Sequence, residues 1–169
     1  FVFRYPERAD VEDTFSASYH LGTMWRASAL PNSTGTPVVS IITYRTQSEN
    51  SYPRYYSTMV RIGVSEDRKE IAACLVPTKD QGETSLPDAT FGGATWKVFA
   101  FENAGMMQYV KGVSYRTMHE GKCIALEKIA VGSSYRDDVK STGDIPDAEL
   151  EKHYASLDQI VETFMFVRP

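Results

Sequence analysis

The sequence predicts an α+β fold in a single domain, residues 1–169: an antiparallel sheet built as a meander and covered by a C-terminal helix. Two observations predict it. Thr95–Phe101, Tyr109–Met118 and Cys123–Val131 are three consecutive runs rich in Val, Ile, Tyr, Phe, Trp and Thr, residues that suit a pleated, half-buried surface. The joints between them, Glu102-Asn103-Ala104-Gly105 and His119-Glu120-Gly121-Lys122, each carry a Gly near the turn. Further on, Leu150, Tyr154, Leu157, Val161 and Phe164 recur at steps of three or four, an apolar stripe one helix face wide. Glu151, Lys152, Asp158, Gln159 and Glu162 lie opposite, so this helix rests on something apolar, and the nearest partner is a face of the meander.

The bulk composition fits that architecture. A chain of 169 residues supports one core, since about 150 residues already bury roughly 70% of their unfolded surface. With 42% apolar and 24% charged residues, disorder and fibrous classes are excluded. The net charge is −4 and no run of Lys or Arg occurs, which argues against a nucleic acid or an anionic membrane surface as partner. The longest apolar run, Ile71–Val76, falls far short of the ~20 residues of a membrane-spanning helix.

Taken in order, Phe1-Val2-Phe3-Arg4-Tyr5 alternates large side chains before Pro6 and predicts a first strand. Glu7–Asp13 reads as a polar turn. Thr14–Tyr19 and Thr23–Leu30 flank His20-Leu21-Gly22 as a candidate hairpin, with Trp25, Ala27 and Ala29 on one face and Trp25 as a core anchor. Pro31–Pro37 is a loop, and Asn32-Ser33-Thr34 within it fits the N-glycosylation acceptor pattern, which matters only if the source is a eukaryotic secreted protein. Pro37–Thr46, apolar on both faces, is the candidate central strand. Gln47–Pro53 is a second loop, and Arg54–Val64 alternates as a strand.

Ser65–Lys69 reads as a turn and Ile71–Val76 as a buried strand, although Ser65-Glu66-Asp67 also resembles a helix cap. Thr78–Gly93 is polar and loop-rich, the place to expect mobility or a contact surface. Beyond the meander, Gly132–Gly143 is a solvated loop. Asp144-Ile145-Pro146-Asp147 opens the last helix, with Pro in the first turn and acids at the positive end of the dipole. One long helix is expected; Ser156-Leu157-Asp158-Gln159 offers a capping box and hence a break as the second choice. Phe164–Val167 is a candidate closing strand.

Reactive constellations are few. Cys74 and Cys123 each sit in an apolar run; a disulfide between them would constrain the unfolded chain by roughly 4 kcal/mol, and the alternative is two buried free thiols. The histidines, His20, His119 and His153, have no ligand spacing, so no metal site is assigned. Gly132-Ser133-Ser134-Tyr135 lacks the second Gly of a nucleophile elbow. Phe91-Gly92-Gly93 lacks the Lys and the helix of a phosphate loop. Asp137, Asp138, Asp144 and Glu149 form an acidic group without calcium-loop spacing. Met106-Met107 near Tyr109 suits core packing or a pliable contact surface. No catalytic residue and no cofactor is assigned.

Phe1-Val2-Phe3-Arg4-Tyr5-Pro6, Tyr115-Arg116-Thr117 with Cys123-Ile124-Ala125-Leu126, and the closing Leu157–Phe166 phrase together give the chain a resemblance to the Mog1/PsbP-like proteins. The last of these looks like the end of small exported bacterial proteins. The resemblance covers about a quarter of the chain, rests on structural phrases, and implies an antiparallel sheet sandwiched by helices and a binding or assembly role. The first half departs from it, having no clear long helix, so cover on one side only is expected.

The reading that follows is an exported, non-enzymatic module, periplasmic or extracellular, that recognises a protein or another macromolecule through its loops or an uncovered sheet face. A start at Phe1 without Met suggests that upstream residues were removed, and leaves room there for a signal peptide or a lipid anchor. The competing class is an enzyme or small-ligand carrier whose site is assembled from residues distant in sequence.

Overall fold

The computed structural model of the chain describes residues 1–15, 21, 24–46, 55–105, 108–133 and 145–167. Its axis is strand β7, Lys122–Ser133, in which every residue from Cys123 to Gly132 is buried. Side chains alternate across a strand. On β7 they divide Ile124, Leu126 and Lys128 from Cys123, Ala125, Glu127, Ile129 and Val131, and both sets must be covered.

Around β7 lies one antiparallel sheet of seven strands. The other strands are β1 (Asp10–Glu12), β2 (Thr36–Arg45), β3 (Tyr56–Ser65), β4 (Thr84–Phe91), β5 (Ala94–Gly105) and β6 (Gln108–His119). Their order is β1-β2-β3-β7-β6-β5-β4. The meander expected from the sequence is thus β5-β6-β7. Its second turn is a two-residue hairpin between His119 and Lys122, in which Glu120 (φ 50°) and Gly121 (φ 75°) both take the left-handed backbone that matches strand twist.

One face is covered by the C-terminal helices α2 (Asp147–Ala155) and α3 (Asp158–Val161). Leu157, Ile160, Val161 and Phe164 pack there on Ile41, Val60, Ile62, Trp96, Ile124 and Leu126. Lys128 reaches out of this face to Asp158 at 2.5 Å and lies 4.6 Å from the Tyr154 ring centre. The other face carries Ile42, Met59, Phe101, Ile129 and Val131 with Leu21, and beside them Trp25, Ala29, Cys74, Cys123 and Ala125. Its cover is the turn-rich segment Met24–Thr34 together with α1 (Arg68–Ala73). Cys74, immediately after α1, is joined to Cys123 by a disulfide spanning 49 positions. The cover lies very close to β3: a Cβ on Gly63 would stand 1.7 Å from the Trp25 carbonyl oxygen.

The structure corrects several expectations. The sheet is covered on both sides, and it dominates the fold; the helices are short. Phe1–Tyr5 is no strand: Val2 alone bridges Met165, and the Phe1 ring stacks on Phe3 and Phe164 instead of entering the ladder. The same bridge is all that forms of the closing strand at Phe164–Val167. Asp10–Glu12, read as turn, pairs with Ser40–Ile42 as β1. Of the expected hairpin, residues 16–20 and 22–23 lie outside the described residues. Met24–Leu30 does not alternate, since Trp25, Arg26, Ser28 and Ala29 are all buried.

β2 is not central, having only the three-residue β1 outside it; β7 holds the middle position. Ile71–Val76 is not a strand. Asp67 accepts from the Lys69 and Glu70 N–H groups and starts α1, which ends where Cys74 is tied down. Thr78–Gly93 is not all loop: it forms a 3₁₀ turn at Lys79–Gln81 and edge strand β4; Pro87 falls in the register irregularity between Leu86 and Ala89, where its missing N–H is tolerated. Glu102–Gly105 continues β5 and pairs with β6, so the connection falls at 106–107, outside the described residues. The helical segment does break at Ser156, but not through a capping box: the Ser156 hydroxyl donates to the His153 carbonyl. The expected loops at Gln47–Pro53 and beyond Ser133 also lie outside the described residues.

Leu157 is fully buried between the helices and the sheet. Leu157→Ala is expected to cost about 2–5 kcal/mol in chemical denaturation. A loss below about 0.5 kcal/mol, the scale of a surface change, would show that the helices do not cover this face.

Candidate functional site

The most concentrated chemistry lies between the sheet and the Met24–Thr34 cover. β-strand alternation puts Arg61 and Glu127 opposite each other on adjacent strands, Ser114 opposite Glu127 on the far side, and Arg116 two residues along on the same face. Arg26 comes down from the cover and Glu83 comes in from the turn before β4. All of these side chains are buried.

Glu83 is the hub. Its Oε2 accepts from Arg116 Nη2 at 2.6 Å and from the Thr78 N–H at 2.5 Å. Its Oε1 accepts from the Ser28 hydroxyl and from Arg26 Nη1 at 3.4 Å. Arg26 also reaches Glu70 of α1 at 3.6 Å and the Thr78 hydroxyl at 3.2 Å. Arg116 stacks on Phe99, 3.8 Å from the ring centre, and its Nε and Nη1 have no hydrogen-bond partner among the described residues. Burial lowers the Arg116 pKa and the Glu83 charge draws it back up.

Glu127 forms the second centre. Its Oε2 accepts from the Ala27 N–H at 2.7 Å, a direct tie from β7 to the cover. Burial raises its pKa, against the Ala27 N–H, the Ser114 hydroxyl and the Arg26 and Arg61 charges, which pull it down. Arg61 donates to the Leu21 and Met24 carbonyls at 3.0 Å each and to Ser40 at 3.2 Å, so it too holds the cover. Burial lowers its pKa, with Glu127 and Glu12 acting in the opposite sense.

This cluster cannot receive a reactant as it stands. Both oxygens of Glu83 are engaged, and the Glu83 and Arg116 side chains are wholly withdrawn from solvent. Two recesses of the described surface are lined by other residues. A groove of about 450 Å³ runs between the β4–β5 and β6–β7 turns and the C-terminal tail, along Thr95, Thr117, Met118, His119, Phe166 and Val167. A recess of about 280 Å³ at the opposite ends of β5 and β6 has Met24, Gln81, Asn103, Gln108, Tyr109 and Val110. In the groove His119 lies flat on Phe166, ring centres 3.7 Å apart, with Glu120 at 3.9 Å from its Nε2. Exposed apolar side chains gather at the joined chain ends: Phe1, Val2, Tyr5, Met165 and Val167, with Met118 across the groove.

The two described histidines are not brought together. His119 is in the groove, His153 stacks on Tyr44 at 3.8 Å beside Glu149, and His20 lies outside the described residues. Asp137, Asp138, Asp144, Ser134 and the Met106-Met107 pair also lie outside them. Ser133 ends β7 and accepts from the Tyr55 N–H. Among the described residues no group of three His, Cys, Asp or Glu side chains is placed to hold a metal ion.

The sequence reading missed Arg26, Arg61, Glu83, Arg116 and Glu127. A signal was present for three of them: Arg61, Arg116 and Glu127 are charges set inside runs of β-formers, at positions where alternation demands an inward side chain.

No protein-family model matches this chain, and no curated protein or solved structure matches it significantly. What fold and site define is a class: a sheet-dominated α+β protein with a sealed internal charge cluster and an open groove of mixed polar and apolar lining.

The raised Glu127 pKa gives a signed expectation. A carboxyl whose folded pKa lies above its unfolded value stabilises the fold at pH below the unfolded value, and this contribution is lost as pH rises through the folded pKa. Glu127→Gln keeps an acceptor for Ala27 N–H and does not titrate. The stability of the unsubstituted chain relative to Glu127→Gln should therefore fall between pH 4 and pH 8 in urea titrations; a rise over that interval would contradict burial as the dominant influence.

Proposed function

We propose that this chain is a non-enzymatic binding or assembly module that recognises a protein or another macromolecule at the groove between its hairpin turns and C-terminal tail. The observation that carries the reading is a contrast. The ionisable side chains that could do chemistry are sealed beneath the cover, with both oxygens of Glu83 and Oε2 of Glu127 engaged. Apolar side chains, in contrast, stand in the open: Met118 and Val167 line the groove, and Val2 and Met165 at the joined chain ends are about half exposed. Clustered exposed apolar surface beside polar groups is the ordinary mark of an interaction site.

Strand addition is the less favoured route. One sheet edge is the three-residue acidic β1, and the other, β4, is interrupted by Pro87 with Asp88 paired to Lys97 at 2.8 Å. A small net charge of −4 speaks against nucleic acid. We place the protein in the periplasm or outside the cell, because a buried disulfide persists in oxidising compartments. The resemblance to Mog1/PsbP-like proteins agrees with a binding role by fold analogy alone. No helix of the described residues is long and apolar enough to cross a membrane; attachment by a lipid upstream of Phe1 belongs to the same proposal.

A second reading, a small-ligand carrier, has one observation in its favour: about 450 Å³ falls in the size range of small-molecule sites. A photo-crosslinking side chain at position 167 separates the two in cells of the source organism, with position 97 as control. The module reading predicts a discrete protein adduct from position 167 only. A small molecule retained in native mass spectrometry, with no protein adduct, would favour the carrier.

A further inference from the structure

The loop between the cover and β2 carries a feature that neither the charge cluster nor the groove uses. Asn32-Ser33-Thr34 has the acceptor pattern for N-linked carbohydrate and is followed by Gly35. Asn50 and Asn103 have Tyr52 and Gly105 two positions on, so neither has the required hydroxyl there.

The fold presents this tripeptide in a particular way. The Ser33 N–H donates to the Leu30 carbonyl at 2.9 Å, closing a turn with Pro31 and Asn32 as its central residues. Ser33 faces inward, its hydroxyl accepting from the Trp25 indole N–H at 2.9 Å. Thr34 is held by its backbone, the carbonyl accepting from the Ser65 hydroxyl at 2.5 Å. The middle residue and the backbone thus anchor the loop to the core, while Asn32 and Thr34 are both exposed. A large substituent on the Asn32 amide would leave into solvent without moving Trp25 or the cover, and it would stand beside Leu30, itself exposed. The disulfide between Cys74 and Cys123 is a second mark of passage through an oxidising compartment, the route on which such carbohydrate is added.

We infer that Asn32 is a carbohydrate-attachment site, modified during export. The donor class is an oligosaccharide on a polyprenyl diphosphate. The Asn32 Nδ2 forms a C–N bond to the anomeric carbon, the anomeric C–O bond to the diphosphate breaks, the lipid diphosphate leaves, and the amide proton passes to a base of the transferase. No electron transfer is involved.

The inference rests on the extracellular branch of the export reading given above, in a eukaryotic source, and one experiment separates the two. The full chain, expressed from its own gene in its source organism, is fractionated by compartment and its intact mass measured. Expected is exported protein heavier than its polypeptide, brought by an amide-cleaving glycosidase to the polypeptide mass plus the small increment of an aspartate in place of the asparagine. The Asn32→Gln and Thr34→Ala variants should each lose the whole mass increment, whereas Thr34→Ser should keep part of it. Exported protein at the bare sequence mass, or an increment that persists in Asn32→Gln, overturns this inference and leaves export standing. Protein found only in the cytosol overturns both.

Discussion

The carboxylate of Glu83 is the interaction on which the second face of the sheet depends. It binds Arg116 from β6, Arg26 and Ser28 from the cover, and the Thr78 backbone before the 3₁₀ turn, so one buried anion joins three stretches distant in the chain. Taking charges out of water costs several kcal/mol per ion, and only complete pairing offsets it. The net stabilisation is therefore small, but removing one partner leaves the others buried and uncompensated, at about 3–5 kcal/mol. Such a cluster contributes chiefly to placing the cover in one position.

The same logic runs through β7. Its two adjacent charged residues point to opposite faces, Glu127 to the Ala27 N–H of one cover and Lys128 to Asp158 of the other. Apolar packing binds both layers without direction; these two residues fix where each layer sits. With both faces covered and both edges blunted, the larger of the two recesses described lies at one end of the sheet, where the hairpin turns, His119 on Phe166 and the C-terminal tail meet. The groove is thus a consequence of how the faces are closed.

Much of this architecture is legible in the residues. The meander, the alternation of β3 and the stripe from Leu150 to Phe164 are local patterns, and local patterns survive folding. The misreadings share a cause. Ile71–Val76 reads as a strand by composition, yet the Asp67 cap and the Cys74 tether make α1 of it. Met24–Leu30 reads as an alternating strand, yet it is bent over Gly63, with the adjacent Trp25 and Arg26 both buried and the adjacent Ser28 and Ala29 likewise. Thr78–Gly93 reads as a polar loop because an edge strand buries little and the charge partners of Glu83 lie 33 and 57 positions away. Pairings at such distances leave no periodicity in the chain, so the charge cluster could be suspected from the misplaced charges of β3, β6 and β7 but not assembled.

The direct test is residue-resolved hydrogen exchange on Glu83→Gln against the unsubstituted chain. If this carboxylate clamps the cover, the amides of Ala27 and Ala29 lose protection in the variant while those of Leu126 and Ile129 in β7 keep theirs. Unchanged protection at Ala27 and Ala29, or an equal loss throughout the sheet, would contradict the account.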